Sequence, residues 1–296
     1  MDVSDGLAEA SNDSELPGDC AVLTILGGLF VLAILAGFIG ALSGLGGGVF
    51  IVPGLVIMAR VPMQVAVGAS LISVVATSAG ASVAFVRDGW TNLRVAIILE
   101  CATVTGALTG AYLAGVISQP ILEMLFALMM LQSAYYSIRK HGDELLLKSD
   151  ALCERLRLGG ELPGDDGKMT SYGVKNLPGG AALMVVAGIM SGLLGIGSGA
   201  LKVAAMDNLM KLPLKVSSAT SNFMIGVTAG AGALVFLSRG DVATVVAAPV
   251  AIGVTAGALL GSRVLPHANV GALRMLFATI LVLIAVEMGW RAMSGI

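Results

Sequence analysis

Lys202 and Glu100 each lie inside a long apolar segment, where ionisable side chains are rare and usually functional. Lys202 could supply a fixed positive charge to a bound anion, and Glu100 could relay protons. Each residue also has a purely structural interpretation. Lys202 could snorkel to an interface or pair with Asp207, and Glu100 could pair with a basic neighbour such as Arg94.

Hydroxyl and amide side chains are grouped early in the apolar segment that follows Pro213, at Thr220, Ser221 and Asn222. These groups can donate hydrogen bonds to the oxygens of a small anion, so all three are candidate substrate-binding residues. The alternative is that they join helices, at about 0.6 kcal/mol per hydrogen bond. Ser70 is a further candidate because it occupies the same place as Ser221 in a repeat described below.

Two clusters of small residues each end an apolar run. The residues of the clusters that could bind substrate are Gly44, Gly46, Gly47 and Gly48 in the first, and Gly195, Gly197, Ser198 and Gly199 in the second. Glycine costs a helix about 1 kcal/mol relative to alanine, so each cluster predicts an interruption. In a membrane, irregular backbone is tolerated only where it is buried in protein or lines a water-filled cavity.

The two clusters are therefore predicted to be broken-helix or re-entrant loops around a central site. A helix that starts after such a loop presents free backbone N–H groups and its positive dipole end, which suits an anion with three oxygens. The alternative is that the glycines only allow close packing of helices. That interpretation fits the spaced pairs Gly106 and Gly110, and Gly257 and Gly261.

Composition places the whole chain in a membrane. It is 56% hydrophobic and 12% charged, whereas a soluble domain has about 25% charged residues. The uniform apolar runs predict an all-α polytopic membrane protein rather than a β-barrel. The net charge of −2 gives no reason to expect nucleic-acid binding, and the lipid bilayer is the expected environment. The three cysteines and two histidines form no metal motif, so no metal or cofactor is expected.

The order of segments predicts four regions: a polar tail at 1–21, a transmembrane half at 22–140, a charged linker at 141–178 and a second transmembrane half at 179–296. The tail has six acidic residues and no basic ones, unlike a signal peptide. The linker is expected to be solvated, with one amphipathic helix near 143–158. Eight to ten spans are expected in all.

The two halves align without a gap at an offset of 151 positions. The glycine clusters coincide, Pro62 matches Pro213, and Ser70 matches Ser221. Internal duplication is typical of secondary transporters, which hold substrate near the membrane midplane between the repeats. Basic residues in the linker, and their absence from the tail, place these regions on opposite sides of the membrane. This requires an odd number of spans per half and therefore favours inverted repeats.

The two glycine clusters, the basic-x-Pro step after each and the segment Ala219–Phe223 resemble the sulfite exporter TauE/SafE family. The resemblance covers roughly 24–140 and 180–292. It implies a multi-pass transporter of the bacterial inner membrane that exports or exchanges a small sulfur-containing anion, such as sulfite, a sulfonate or sulfoacetate, by alternating access. The expected partner is this small anionic substrate, and a homodimer is left open as the assembly.

Other functions are compatible with the same sequence. The first is an anion-selective channel with the same glycine-loop site, and the second is a transporter of another small organic anion. A structural membrane subunit is disfavoured by the polar residues within the spans. An intramembrane enzyme is not expected, because the chain has neither a Gly-x-Ser-x-Gly nor a His-Glu-x-x-His motif.

Overall fold

The computed structural model describes residues 18–43, 47–138, 148–163, 169–242, 244–264 and 270–294. The helices of the first half are α1 (Gly18–Ser43), α2 (Gly48–Met58), α3 (Met63–Arg87), α4 (Leu93–Ala114) and α5 (Gln119–Ile138). A short helix and two strands follow: α6 (Ala151–Arg155), β1 (Gly160–Pro163) and β2 (Met169–Tyr172). The helices of the second half are α7 (Leu177–Leu194), α8 (Gly199–Ala204), α9 (Leu214–Arg239), α10 (Thr244–Val264) and α11 (Val270–Ser294). The predicted all-α membrane fold is confirmed.

Four of the described helices, α3, α4, α7 and α9, are long and apolar enough to cross a membrane. Shorter apolar stretches lie within α1 and α10, and α2 is apolar throughout. Large apolar side chains point outward from these helices, as expected for surfaces that contact lipid; Tyr112 and Ile97 on α4 are 68% and 63% exposed. The chain is thus a multi-pass membrane protein. The exact number of spans stays a prediction.

The second glycine cluster interrupts a membrane helix, as predicted. α7 ends at Leu194, and the next residue, Gly195, has a left-handed backbone conformation with a φ of 69°. Gly197 and Ser198 also have positive φ, at 70° and 47°. This conformation favours glycine because it lacks a Cβ atom. α8 then begins at Gly199 and continues into a π-helical turn, Ala205–Leu209. In the first cluster, Gly44 and Gly46 lie outside the described residues.

Helices of one half pack closely against helices of the other half. A Cβ atom on Gly106 of α4 would lie 2.2 Å from the carbonyl oxygen of Val185 on α7. A Cβ atom on Gly257 of α10 would lie 2.0 Å from the carbonyl oxygen of Ile34 on α1. The two contacts are related by the repeat: Gly257 lies 151 positions after Gly106, and Ile34 lies 151 positions before Val185. Close helix packing therefore explains these glycines.

Leu71, Val75 and Ser78 run along α3 where it faces α9. They lie beside Gly232, Gly230 and Gly226 respectively, so the two helices are antiparallel. Their start positions, Met63 and Leu214, are 151 positions apart. A two-fold axis that relates antiparallel helices is perpendicular to them, and it would lie in the membrane plane. This geometry supports the inverted interpretation of the repeats, which stays a prediction, as do the four region boundaries.

The linker differs from the sequence prediction. Within the described residues its helix has five residues, Ala151–Arg155, and 143–147 of the predicted helix lie outside them. β1 pairs with β2 in antiparallel orientation. Many residues of 148–163 and 169–176, which we call the linker module, are exposed to solvent, but the module also folds against the membrane helices. Cys153, Leu158 and Tyr172 are buried there against the ends of the membrane helices. Hydrophobic burial, which charge composition cannot reveal, folds the module onto the membrane helices.

Asn92, at the start of α4, ties the linker module to the membrane helices. Its side-chain oxygen caps α4 by accepting the N–H of Val95, and its amide nitrogen donates to the Leu158 carbonyl (2.8 Å) and the Tyr172 hydroxyl (3.0 Å). The backbone N–H of Lys175 donates to the Met210 carbonyl. Burial raises the pKa of the Cys153 thiol and of the Tyr172 phenol, so both are neutral at physiological pH.

Topology can be tested with reporter fusions. If the repeats are inverted, a reporter at position 155 is cytoplasmic and one at the C-terminus is periplasmic, because each half crosses the membrane an odd number of times. Alkaline phosphatase and green fluorescent protein fusions report the two sides. Both positions on the same side would contradict the inverted arrangement.

Helix packing can be tested by adding one methyl group. Gly106→Ala places a Cβ against the α7 backbone and should destabilise the protein by about 1–3 kcal/mol. Gly80→Ala, in α3, is the control, since a Cβ there meets nothing within 4 Å and alanine favours a helix. Thermal unfolding in detergent should show a lower midpoint for the first variant alone. Equal midpoints would rule out the close contact between α4 and α7.

Candidate functional site

Lys202 and Glu100 converge on one hydroxyl group, that of Thr228. The Lys202 side chain is fully buried, and its Nζ donates to Thr228 Oγ1 at 2.5 Å. The same hydroxyl lies 2.6 Å from Glu100 Oε1. Lys202 lies on α8, Thr228 on α9 and Glu100 on α4, so three helices position one polar group. We call these three side chains the Lys–Thr–Glu group.

This arrangement decides against two of the structural alternatives left open by the sequence, snorkelling of Lys202 and pairing of Glu100 with Arg94. A fully buried Lys202 does not snorkel, and its ammonium group bonds Thr228. Arg94 directs its guanidinium to the Arg157 carbonyl at the linker module, so it does not neutralise Glu100. Instead, the two candidate ionisable residues neutralise each other through Thr228. Sequence reasoning missed Thr228, although a hydroxyl two turns beyond Asn222 in an apolar helix was a usable signal.

The Lys–Thr–Glu group has unused hydrogen-bonding capacity. Lys202 has three ammonium protons and, among the described residues, its side chain makes one hydrogen bond, to Thr228. Among the residues that the structure describes, Glu100 Oε2 is buried without a hydrogen-bond partner. Ser198 Oγ, one turn before Lys202, is also buried and lacks a partner within that part of the chain. Buried polar atoms are usually satisfied, so these three side chains identify a place where a polar ligand or water can bind.

The positions that the repeat relates to the Lys–Thr–Glu group carry no charge. At the offset of 151 positions, Lys202, Thr228 and Glu100 correspond to Ile51, Thr77 and Ala251. The threonine is shared: Thr77 donates to the carbonyl of Ser73 four residues earlier, and Thr228 Oγ1 lies 2.9 Å from the corresponding carbonyl of Met224. The charged group therefore occurs once, and the site related to it by the repeat has the threonine but neither charge.

The two glycine loops touch each other. A Cβ on Gly48 would lie 2.6 Å from the carbonyl oxygen of Gly195, and Ser70 Oγ donates to that same oxygen at 2.8 Å. Gly48, at the start of α2, thus lies against the second glycine loop, and a shared substrate site at this place stays a prediction. The structure also gives these glycines a packing role, since Gly48, Gly195 and Gly197 all face neighbouring protein atoms. Substitutions at these glycines would disturb folding and could not report on substrate binding alone.

The remaining predicted site residues already have protein partners. Ser221 donates to the Gly199 carbonyl at 3.3 Å, and so holds the second loop from α9. Thr220 accepts the backbone N–H of Asn92 at 3.0 Å, which places it beside the linker module. The Asn222 amide donates to the Ser218 carbonyl at 3.1 Å. These bonds position Gly199 and the start of α4, and hence the Lys–Thr–Glu group between them.

A family model described as "Sulfite exporter TauE/SafE" matches residues 29–288. The chain belongs to the TauE/SafE sulfite exporter family. It is 28% identical over 267 residues to "Probable membrane transporter protein YunE" of Bacillus subtilis (strain 168), covering 88% of this chain and 96% of the relative. It is 26% identical over 235 residues to "Probable membrane transporter protein YdhB" of the same organism, covering 79% and 86%. No solved structure matches the chain.

Membership of the TauE/SafE family makes this protein a membrane transporter and confirms the resemblance recognised in the sequence. The match includes both glycine clusters and all three members of the Lys–Thr–Glu group.

The structural role of Thr228 can be tested by removing its hydroxyl. Thr228→Val leaves Lys202 without its hydrogen bond in a buried site and should destabilise the protein by about 1–3 kcal/mol. Thr77→Val, at the uncharged counterpart, should cost less because it strands no charged group. Thermal unfolding of the purified variants compares the two, and Thr228→Ser should restore stability. Equal losses at both threonines would contradict the assignment.

Proposed function

We propose that this protein is a secondary transporter that exports or exchanges a small sulfur-containing anion across a bacterial inner membrane by alternating access. The observation that carries the proposal is a fully buried lysine with unused N–H groups, beside the turn at which a membrane helix is interrupted. A buried positive charge with free donors is a binding site for an anion. The sulfur chemistry comes from the family of the chain.

The anion is expected to bind between Lys202, Ser198 and Glu100. Lys202 contributes the positive charge and two N–H donors, and Ser198 contributes a hydroxyl without another partner in the described chain. A sulfonate or sulfite group has three oxygens and can accept all of these bonds at once. The glycine loops and the Ser70 and Ser221 hydroxyls then position this site rather than contact the anion.

Alternating access is supported by the way the two halves pack. α1 lies against α10, and α4 lies against α7, so each close pair contains one helix from each half. The antiparallel pair α3 and α9 lies between these units, where the glycine loops also meet. Rocking of two such units about a central loop pair would expose the site to one side at a time.

Transport into proteoliposomes tests the proposal. The panel contains sulfite, methanesulfonate, sulfoacetate, taurine, thiosulfate, sulfate and chloride. A carrier for sulfur-containing anions should show saturable uptake and counter-transport of one or more of them, without unitary currents in planar bilayers. Uptake of none of the sulfur compounds would refute the substrate class, and unitary currents would favour the channel.

Lys202→Met should weaken anion binding about ten- to a hundredfold, because a charge-assisted hydrogen bond contributes roughly 1.5–3 kcal/mol. Lys215→Met is the matched control and should leave anion binding unchanged. Lys215, at the start of α9, is exposed and its ammonium group stacks on the Trp90 ring. The double variant Lys202→Met with Glu100→Gln avoids an uncompensated buried carboxylate and should fold but still bind poorly. Parent-like binding by this double variant would place the anion site elsewhere.

A further inference from the structure

The Lys–Thr–Glu group contains one positive and one negative charge, both buried among apolar helices. We propose that this group loads one monovalent anion together with one proton, which Glu100 accepts. The inference rests on the proposed function, since it requires that the anion bind at Lys202. It adds the coupling ion and the charge of the preferred substrate.

The physical reason is the cost of net charge in a low-dielectric interior. In the structure, the Lys202 ammonium and the Glu100 carboxylate neutralise each other through Thr228. A bound monovalent anion would leave one uncompensated negative charge, which is strongly unfavourable away from water. Protonation of Glu100 restores neutrality, because the anion then takes the place of the carboxylate as the counterion of Lys202.

The other described charged residues on the helices that pack against the group lie near helix ends. On α5, which contacts α8, the buried Glu123 carboxylate accepts a hydrogen bond from Gln119. α7, which packs on α4, has no charged residue between Leu177 and Leu194. α9 has charged residues only near its ends, where Lys215 stacks on Trp90 and Arg239 pairs with Asp241. On α4 itself, the guanidinium of Arg94 donates to the Arg157 carbonyl of the linker module. On the α8 side, Asp207 lies on the π-helical turn and is partly exposed.

The position of the proton follows from the hydrogen bonds. Glu100 Oε1 is already bonded to Thr228, whereas Oε2 lacks a partner in the described chain. A proton on Oε2 turns that oxygen into a donor, which can bond one oxygen of the anion. Lys202 can bond the others with its remaining N–H groups. Release reverses both steps, because loss of the proton returns Lys202 to Glu100 and displaces the anion.

This coupling makes the transport of a monovalent anion electroneutral. Anion and proton move in the same direction, so net flux follows both gradients together. A high internal anion concentration favours export, and an inward proton gradient favours uptake. The site should prefer monovalent anions such as methanesulfonate to divalent sulfate, which one proton and one lysine cannot neutralise.

The test measures proton uptake upon binding of methanesulfonate, which keeps a single negative charge at neutral pH. Isothermal titration calorimetry of the full-length protein in buffers of different ionisation enthalpy gives the number of protons taken up. We expect about one proton per anion, and a Kd that rises about tenfold per pH unit between pH ~6 and ~8. Glu100→Gln should abolish both the proton uptake and the pH dependence.

Glu123→Gln is the matched control. Glu123 is a second buried carboxylate, on α5, and it is bonded to Gln119. This variant should keep both the proton uptake and the pH dependence of Kd. Anion binding without proton uptake, or an unchanged pH dependence in Glu100→Gln, overturns the coupling and leaves the transporter proposal intact. Absence of binding by every anion in the panel overturns both proposals.

Discussion

The need to neutralise charge away from water dominates the centre of this protein. Lys202 and Glu100 are buried among apolar helices, and each would be strongly unfavourable alone. They are compatible with the fold because α4, α8 and α9 meet at the Thr228 hydroxyl. The relative positions of these helices are therefore constrained by electrostatics. If a proton or a bound anion changes the charge at one of these residues, a compensating change in charge is needed at the other.

The glycine loops satisfy this constraint by breaking the helix just before Lys202. Without the left-handed turn at Gly195 and Gly197, α7 would continue and carry residue 202 away from α4 and α9. Ser70 holds the turn from one half of the chain, and Ser221 holds it from the other. The conformation of this short segment thus depends on side chains from both halves. That dependence gives a route by which motion of the halves could reach the site.

The linker module lies near this centre although it is far from it in sequence. Its apolar residues belong to the same buried cluster as Leu99, the residue before Glu100, and Ala205 and Met206, one turn beyond Lys202. Asn92 connects the module to α4 through its side chain, and its backbone N–H donates a hydrogen bond to Thr220 on α9. The linker is consequently part of the structure that positions the charged residues. Its high charge content hides an apolar face that is covered by the membrane helices.

Much of this protein was determined by its sequence alone. Uniform apolar runs specify a helical membrane protein, because such segments lose little by leaving water. The glycine cluster at 195–199 specifies a broken helix, because these residues permit positive φ. Lys202 and Glu100 were candidates because ionisable residues are costly in a membrane. Only the tertiary structure decided that these two residues form one site, since Glu100 and Thr228 are 128 positions apart and no local pattern relates them. It also decided that Thr220 and Ser221 bond the protein itself, because hydroxyl groups bond whichever acceptor or donor packing brings within reach.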